Sequence, residues 1–387
     1  MIDFRLGDDV EAFRAEVREF LAEHLTREME EEIYRSGVSN DATFTKALYE
    51  RGWLAPDWPK EYGGQERPPM EMMVLGEELR FEDAPTYGMG TTTMVANVIR
   101  HAGTDEQRDE FIPKALRGDI VMVLGFSEPE AGSDVAAAAT RAVRDGDHWV
   151  INGSKMFTTN GHIADYAFLL ARTNPDVPKH KGLTMFLVPM GDVEAQGVFT
   201  LSGERTNITF YNDVLVPDSL RVGPVDEGWA TLNVALGNEH GAGFGAMIHR
   251  LLDAAETWAH EATGDDGSPR IEDADVREAL ARAATDLEVS RLLQRRVAWM
   301  SDEGLPRVAE GPMLKLFSSQ ALEARAEEIV EVIGPDAMRS YWDPTAPVRG
   351  VIEHLLRFSL GTTIYAGTSE IHRNMIAQRG LGLPRAK

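Results

Sequence analysis

The sequence contains no cysteine, which excludes disulfides, thiolate metal sites and cysteine nucleophiles. It also has no uninterrupted apolar run near the roughly 20 residues that a membrane-spanning helix needs. Positive charge is scarce, since 39 Lys and Arg stand against 63 Asp and Glu and leave a net charge of −24. This sign argues against nucleic acid and against an anionic membrane surface as partners. Chemistry in this chain must therefore use carboxylates, histidine, hydroxyls or a cofactor, and no metal site is predicted.

The N-terminus lacks the apolar stretch of a secretory signal peptide and enters a helical pattern at once. A cytoplasmic location is therefore the expectation. The chain has 43% hydrophobic and 26% charged residues, which are values typical of a globular protein. Its length of 387 residues favours two or three packed units.

The first part of the chain has the pattern of helices. Apolar residues recur with the 3.6-residue period of an amphipathic helix over residues 10–25, and similar patterns occupy residues 44–51, 70–82 and 91–101. Thr104 and Gln107 are spaced as a capping box, which predicts a helix start. We expect an all-α domain over residues 1–118.

The middle of the chain changes character. Short segments rich in β-branched and aromatic residues, separated by turns such as Asp145-Gly146, predict strands at 120–124, 148–152, 166–171, 184–188 and 208–211. We expect a β domain, barrel or sandwich, over residues 119–222.

Helical patterns return after Gly228. They predict helices at 228–262, 274–303, 312–333 and 345–360, and a last one near 370–379. Long helices joined by loops favour a helix bundle, which we expect over residues 223–387. The predicted fold class is therefore α+β.

Two polar segments of the β domain carry the first functional signal. Gly125-Phe-Ser-Glu-Pro-Glu-Ala-Gly-Ser-Asp134 follows a predicted strand, and Asn152-Gly-Ser-Lys-Met-Phe-Thr-Thr-Asn-Gly161 places an aromatic residue beside two threonines. Either segment alone could be an ordinary polar turn. Together they offer the flat apolar wall and the hydroxyl or N–H donors that a flavin requires.

The order and spacing of these segments resemble the acyl-CoA dehydrogenase family over nearly the whole chain. Asp213-Val-Leu-Val-Pro217 and Glu227-Gly-Trp229 stand where that family has a strand end and the start of its C-terminal domain. The resemblance implies an N-terminal helical domain, a middle β domain and a C-terminal helix bundle. It also implies bound FAD and an acyl-CoA substrate.

Site residues follow from the resemblance, position by position. Phe126, Ser127 and Ser133 correspond to family residues around the flavin pyrimidine ring, the ribityl chain and CoA. Phe157 corresponds to the aromatic residue that covers the ring, although ordinary core packing is the alternative for a phenylalanine. Thr159 corresponds to the hydroxyl that bonds flavin N5. The segment with Thr368 and Glu370 resembles the family's own-subunit side of the flavin site.

The family places its catalytic glutamate at one of two positions. One lies in a Tyr-Glu-Gly-Thr run, which reads Tyr365-Ala-Gly-Thr368 here, so that Ala366 offers no carboxylate. The other corresponds to Glu239 in Leu236-Gly-Asn-Glu-His-Gly-Ala242. Glu239 is thus the candidate base, although an acidic helix residue is more often only solvated.

Three departures from the family pattern bear on assembly. His240 follows the candidate base where the family usually has arginine. The Arg-x-x-Phe-Gly run, with which most members hold the flavin pyrophosphate of a neighbouring subunit, is replaced by Glu256-Thr-Trp-Ala-His-Glu-Ala262. The later Gln-x-x-Gly-Gly segment reads Val332-Ile-Gly-Pro-Asp336. These departures, with Thr206-Asn207, resemble the actinobacterial steroid side-chain dehydrogenases, which assemble as α2β2.

The resemblance implies a desaturase that introduces an α,β double bond into a bulky or branched acyl-CoA and passes electrons to an electron-transferring flavoprotein. A second acyl-CoA dehydrogenase-like chain is the expected partner. Three alternatives stay open: a homotetramer acting on short or branched fatty acyl-CoA, a non-catalytic partner subunit, and an oxidase that reacts directly with oxygen.

Overall fold

The computed structural model describes residues 4–239 and 243–384, and the side chains of residues 236–239 lie outside that description. The first part of the chain forms α1 (Asp8–His24), α2 (Arg27–Ser36), α3 (Ala42–Glu50), α4 (Pro69–Phe81), α5 (Tyr87–Ala102) and α6 (Asp105–Arg117). Eight strands follow: β1 (Met122–Gly125), β2 (Arg141–Asp145), β3 (His148–Lys155), β4 (Tyr166–Arg172), β5 (Leu183–Pro189), β6 (Glu194–Phe199), β7 (Arg205–Pro217) and β8 (Arg221–Val222). The remaining helices are α7 (Gly228–Glu239), α8 (Gly245–Glu261), α9 (Ala274–Asp302), α10 (Glu310–Ile333), α11 (Val351–Thr362) and α12 (Ser369–Met375). The predicted α+β class is confirmed.

Local signals explain where several helices begin and end. The Thr104 side chain accepts the Gln107 N–H and the Gln107 side chain accepts the Thr104 N–H, so the predicted capping box starts α6. Gly118 ends that helix at a φ of +73°, a conformation that suits glycine. The 3.6-residue period of α1 turns one apolar face inward, with Phe13, Val17, Phe20 and Leu21 buried.

The strands form one sheet in the order β6-β7-β3-β2-β4-β5-β8, and β1 pairs in parallel with β4. The inner side chains of β2, β3 and β7 pack with those of β1, β4 and β5 into one apolar core that includes Trp149, Ile151, Leu169, Phe186 and Val216. The opposite faces of β4 and β5 pack under helical residues from α5, α6 and α7. Burial on both faces accounts for the nearly continuous apolar sequences of β4 and β5.

The chain divides into two compact units. One, the bundle unit, comprises residues 1–23, 68–84 and 240–387, and the other, the sheet unit, comprises residues 24–67 and 85–239. Thus α1 and α4 belong with α8 to α12, and α7 belongs with the sheet. The domain boundaries at 118 and 222 stay predictions.

In the bundle unit, a buried carboxylate joins α1 to α4. Glu78 is 5% exposed and accepts hydrogen bonds from Arg14 at 2.7 Å and Arg18 at 2.8 Å. Glu77, beside it, pairs with Arg14 at 3.3 Å. The first helix is therefore held to the bundle by charge as well as by its apolar face.

Two helix predictions are wrong. The single helix predicted over 228–262 is instead α7 and α8, because α7 ends at Glu239 and α8 begins only at Gly245. The helix predicted from residue 345 begins at Val351, after a turn in which Val348, Arg349 and Gly350 all have positive φ. No helix in the described part of the chain has the length and apolar character needed to cross a membrane.

Candidate functional site

The loop that follows β1 places the first group of predicted site residues in the sheet unit. Phe126 is partly buried and meets Phe168 edge to face, with ring centroids 6.0 Å apart. Ser127 is also partly buried, and its carbonyl oxygen accepts the Met156 N–H at 2.9 Å. Ser133 lies exposed farther along the loop. The β1 loop is thus joined directly to the chain that follows β3.

A buried ion pair, which sequence reasoning missed, lies behind this loop. Lys155 Nζ lies 2.7 Å from Glu128 Oε1, and both side chains are buried. Burial lowers the Lys155 pKa to about 8, although Glu128 opposes the shift. Burial raises the pKa of Glu128, but Lys155 and the N–H groups of Ala139 and Thr140 outweigh it, so the pKa lies below its ordinary value.

The turn after β3 carries the second group. Phe157 has a φ of +60° and its ring is 58% exposed, so the side chain presents an aromatic face instead of entering the core. Thr159 is partly buried, and its hydroxyl donates to the Thr206 hydroxyl at 3.2 Å. Asn207, fully buried, contacts both peptide groups of Thr158. The core-packing alternative for Phe157 is therefore not what the structure has.

These groups fit the flat, polar-edged ring system of a flavin. The exposed Phe157 ring supplies an apolar wall beside the Thr159 hydroxyl. Asn160 is 1% exposed, and neither its Oδ1 nor its Nδ2 has a hydrogen-bond partner in the described part of the chain. Buried polar atoms are nearly always paired, so this turn has unused capacity for a bound polar group or water.

The third group lies in the bundle unit, in the turn between α11 and α12. Ala366 and Gly367 both have positive φ, at +52° and +87°. His372 Nε2 lies 3.0 Å from the Ala366 carbonyl oxygen, and Lys315 Nζ donates to the Gly367 carbonyl oxygen at 2.5 Å. Thr368 caps α12 by accepting the Ile371 N–H at 3.3 Å. Two buried side chains thus hold a left-handed turn at the position where many family members place their glutamate.

Electrostatics in this turn are set by burial. Desolvation lowers the pKa of Lys315 to about 8, and it also lowers the pKa of His372, so that the ring is neutral at physiological pH. Glu370 is exposed, with its carboxylate 3.5 Å from Arg373. Hydrogen bonds from its own backbone N–H and from Thr368 lower the Glu370 pKa, which does not suit it to proton abstraction near neutral pH.

Only the backbone of the candidate base is described. Glu239 is the last residue of α7, but its side chain lies outside the described residues, as do all of His240 and the two residues that follow. The site roles of Glu239, Phe126, Ser127, Ser133 and Phe157 therefore stay predictions, as do those of Thr159, Thr368 and Glu370. Among the described residues, no group of His, Asp or Glu is arranged to hold a metal ion.

The segment that replaces the family's Arg-x-x-Phe-Gly run is engaged within its own unit. Arg270, after the acidic loop, lies over the Trp258 ring at 5.6 Å and donates to the Val332 carbonyl oxygen at 2.9 Å. The two altered segments are thus tied to each other through one arginine.

Comparisons with known proteins agree with this geometry. Models of the acyl-CoA dehydrogenase N-terminal, middle and C-terminal domains match residues 7–119, 123–210 and 226–381. The chain is 37% identical over 395 residues to acyl-CoA dehydrogenase FadE26 of Mycobacterium tuberculosis, with 97% of both chains covered. It is 31% identical over 384 residues to FadE29 of the same organism, with 96% of both covered.

Two solved structures are similar over their full length. A chain of the ChsE4-ChsE5 complex from Mycobacterium tuberculosis superposes with a TM-score of 0.90 and 34% identity, with 100% of both chains covered. A chain of the Tcur3481-Tcur3483 steroid ACAD superposes with a TM-score of 0.91 and 33% identity, again with 100% of both chains covered.

Proposed function

Because the chain belongs to the acyl-CoA dehydrogenase family, whose members are FAD-dependent flavoproteins, we propose that it desaturates a bulky or branched acyl-CoA with Glu239 as base. Glu239 takes the proton α to the thioester. When bound, FAD supplies the acceptor for the β-hydrogen, which leaves as hydride. The observation that carries this assignment is Ala366, which removes the carboxylate from the other position that the family uses.

The remaining residues bind and orient. We assign Phe157 to the apolar wall against the flavin ring and Thr159 to its polar edge. Phe126, Ser127 and Ser133 are assigned to the surroundings of the flavin pyrimidine ring, the ribityl chain and CoA, and Thr368 and Glu370 are assigned to flavin binding. Glu370 is not the base in this proposal, since its hydrogen bonds and its pairing with Arg373 lower its pKa and make the carboxylate a weaker base.

The substrate class rests on the relatives. A steroid side-chain CoA thioester is the proposed substrate, because one similar structure is named a steroid ACAD. The alternative is a short or branched fatty acyl-CoA, since the chain is also 27% identical over 395 residues to the short-chain-specific acyl-CoA dehydrogenase of Clostridium acetobutylicum. Turnover with a panel from butyryl-CoA to steroid side-chain thioesters separates them, and a preference for butyryl-CoA would overturn the steroid assignment.

We also propose an α2β2 assembly with a second acyl-CoA dehydrogenase-like chain and an electron-transferring flavoprotein as acceptor. The engagement of Arg270 by Trp258 and Val332 within its own unit supports this, because these segments stand where other members reach a neighbour's flavin. Expression alone and with the neighbouring gene product, followed by the FAD-to-chain ratio, tests it. One FAD per lone chain at full activity would favour the homotetramer instead.

Glu239→Gln tests the base directly. The amide keeps the shape but cannot accept the proton, so we expect FAD retention and a loss of flavin bleaching by substrate of about 10³-fold. Glu256→Gln, on an exposed face of α8, is the matched control and should bleach as the wild type does. If Glu239→Gln bleaches as fast as the wild type, Glu239 is not the base and the chain is better described as a non-catalytic partner subunit. Release of peroxide in the absence of an electron acceptor would indicate the oxidase.

A further inference from the structure

The Lys155 ammonium group is bonded on two sides in a fully enclosed position. Its side chain has no exposed surface, and Nζ donates to Glu128 Oε1 at 2.7 Å and to the Phe126 carbonyl oxygen at 3.2 Å. The hydrogen bond to Glu128 pairs the positive charge of the ammonium group with a carboxylate. The second reaches a backbone atom of the loop that we assign to the flavin.

The Glu128 carboxylate is itself held by two backbone N–H groups. Its Oε2 accepts the Ala139 N–H at 2.7 Å and its Oε1 accepts the Thr140 N–H at 3.0 Å. A carboxylate held by two backbone donors cannot follow a moving lysine, so the position of Lys155 is set by the start of β2. The ion pair therefore connects that segment to the Phe126 carbonyl oxygen and holds the oxygen in place.

A contribution to stability alone does not account for this buried ion pair. Burying two charges costs several kcal/mol of desolvation, and apolar residues of similar volume often stabilise as well or better. Lys155 is buried on the same side of β3 as Trp149 and Ile151, which belong to an apolar core. Unlike an aliphatic residue, lysine can donate a hydrogen bond to the Phe126 carbonyl oxygen.

The carbonyl that Lys155 holds also determines where the next N–H points. In a planar trans peptide the C=O and the following N–H are antiparallel, so the Ser127 N–H faces away from Lys155. The Ser127 carbonyl is held separately by the Met156 N–H at 2.9 Å. Within residues 4–239 and 243–384, the Ser127 N–H meets no acceptor.

We propose that Lys155 is a positioning residue, which fixes the Phe126–Ser127 peptide through the Phe126 carbonyl so that the Ser127 N–H is presented to the polar edge of the bound flavin. This inference rests on the proposed function. It assigns a role to a residue that lies behind the ligand and does not touch it. Glu128 serves by keeping the ammonium group charged and in place.

Two variants isolate the bond to Phe126. Glu128→Gln keeps Lys155 and an oxygen for the Ala139 N–H, whereas Glu128→Gln with Lys155→Met differs from it only by loss of the amine and leaves no buried unpaired charge. We expect the double variant to unfold in urea at a higher midpoint than the single variant, which leaves the Lys155 ammonium group buried without its carboxylate. We expect its FAD dissociation constant to be about 10- to 100-fold higher, the range for one lost charge-assisted hydrogen bond.

A second readout does not depend on flavin. Amide exchange of the peptide that contains Ser127 should be faster in the FAD-free double variant than in FAD-free Glu128→Gln, because the carbonyl is no longer held. Lys179→Met is the matched control, since Lys179 pairs with Asp134 of the same loop at 2.5 Å but at the surface, with 59% and 56% of the side chains exposed. It should leave FAD affinity and exchange unchanged.

All variants are made in the full chain and purified in the assembly in which the wild type holds FAD. Equal FAD affinity and equal exchange in the single and double variants would overturn the positioning role. A wild type that binds FAD but fails to oxidise any acyl-CoA would overturn the proposed function instead and leave this test intact. If the double variant does not fold, Lys155→Arg decides, because a retained donor should keep FAD affinity within a few-fold and a merely structural lysine should not.

Discussion

Asn207 holds Thr158 by both of its peptide groups. The Asn207 carbonyl oxygen accepts the Thr158 N–H at 2.9 Å, and Asn207 Nδ2 donates to the Thr158 carbonyl oxygen at 2.9 Å. Both residues are fully buried. The clamp lies directly between Phe157 and Thr159, so the orientation of both depends on a residue of β7.

Asn207→Leu should therefore destabilise the sheet unit and weaken FAD binding together. The Thr158 carbonyl oxygen, which also accepts the Gly161 N–H at 3.1 Å, would lose one of its two donors, at a cost of about 0.5–1.5 kcal/mol. Urea unfolding and FAD titration measure the two effects. Asn152→Leu is the control, because Asn152 brackets Asp213 through two hydrogen bonds on the same strand pair, but at an exposed position. An effect as large in the control would refute the special role of Asn207.

Lys315 gives a pH-dependent prediction. Its pKa is lowered by burial from 10.5 to about 8, so between these values the unfolded chain binds the proton more strongly than the folded chain. Since the unfolded state then holds more protons, stability rises with pH across this window. Lys315→Met cannot titrate, and its urea midpoint should rise less than that of the wild type between pH 7 and pH 10. Parallel curves would show that the lysine titrates normally.

A buried ion pair of the bundle unit can be compared with an exposed ion pair of the sheet unit. Glu78→Gln removes the charge that Arg14 and Arg18 share, and we expect a loss of about 3 kcal/mol in the free energy of unfolding, the lower end for breaking a buried pair. Glu31→Gln breaks only the exposed pair with Arg27, which is worth less than about 1 kcal/mol. Chemical denaturation of both variants compares them, and equal losses would contradict the buried character of Glu78.

Asp218 should set part of the acid sensitivity of the sheet unit. Hydrogen bonds from Arg221 and then from Trp149 lower its pKa from 3.8 to about 2. A lowered acid pKa contributes stability that is complete above the unfolded value and is lost as pH falls from about 3.8 to about 2. The urea midpoint of Asp218→Asn should thus differ from that of the wild type at pH 7 and approach it as the pH falls to about 2. A constant difference would mean that ionisation of Asp218 is not the cause.

Sequence patterns predict the elements of this fold where apolar periodicity or capping is strong. The face of α1 and the start of α6 follow from Phe13 to Leu21 and from Thr104. By contrast, α2 was not predicted because Met29, Ile33 and Tyr34 are its only apolar side chains and none of its residues is buried. Strand β6, at the sheet edge, has four exposed and two half-buried residues and contains a glycine, which hides its strand character.

The candidate site divides in the same way. Phe157 and Thr159 stand out by motif, because an aromatic residue and hydroxyls in a turn are unusual. Lys155, Lys315 and His372 do not, because lysine and histidine are normally expected at the surface and only tertiary contacts reveal their burial. In strand β3 a weak signal exists, since Lys155 falls on the inward side with Trp149 and Ile151.

The two buried lysines can also be used to detect local opening of the chain. Lys155 lies in the sheet unit at 0% exposure and Lys315 in the bundle unit at 2%, and both amines are closed to an acylating reagent while their unit is folded. With no cysteine to compete for the reagent, acetylation at each site, read by mass spectrometry, reports the opening of the unit that contains that lysine.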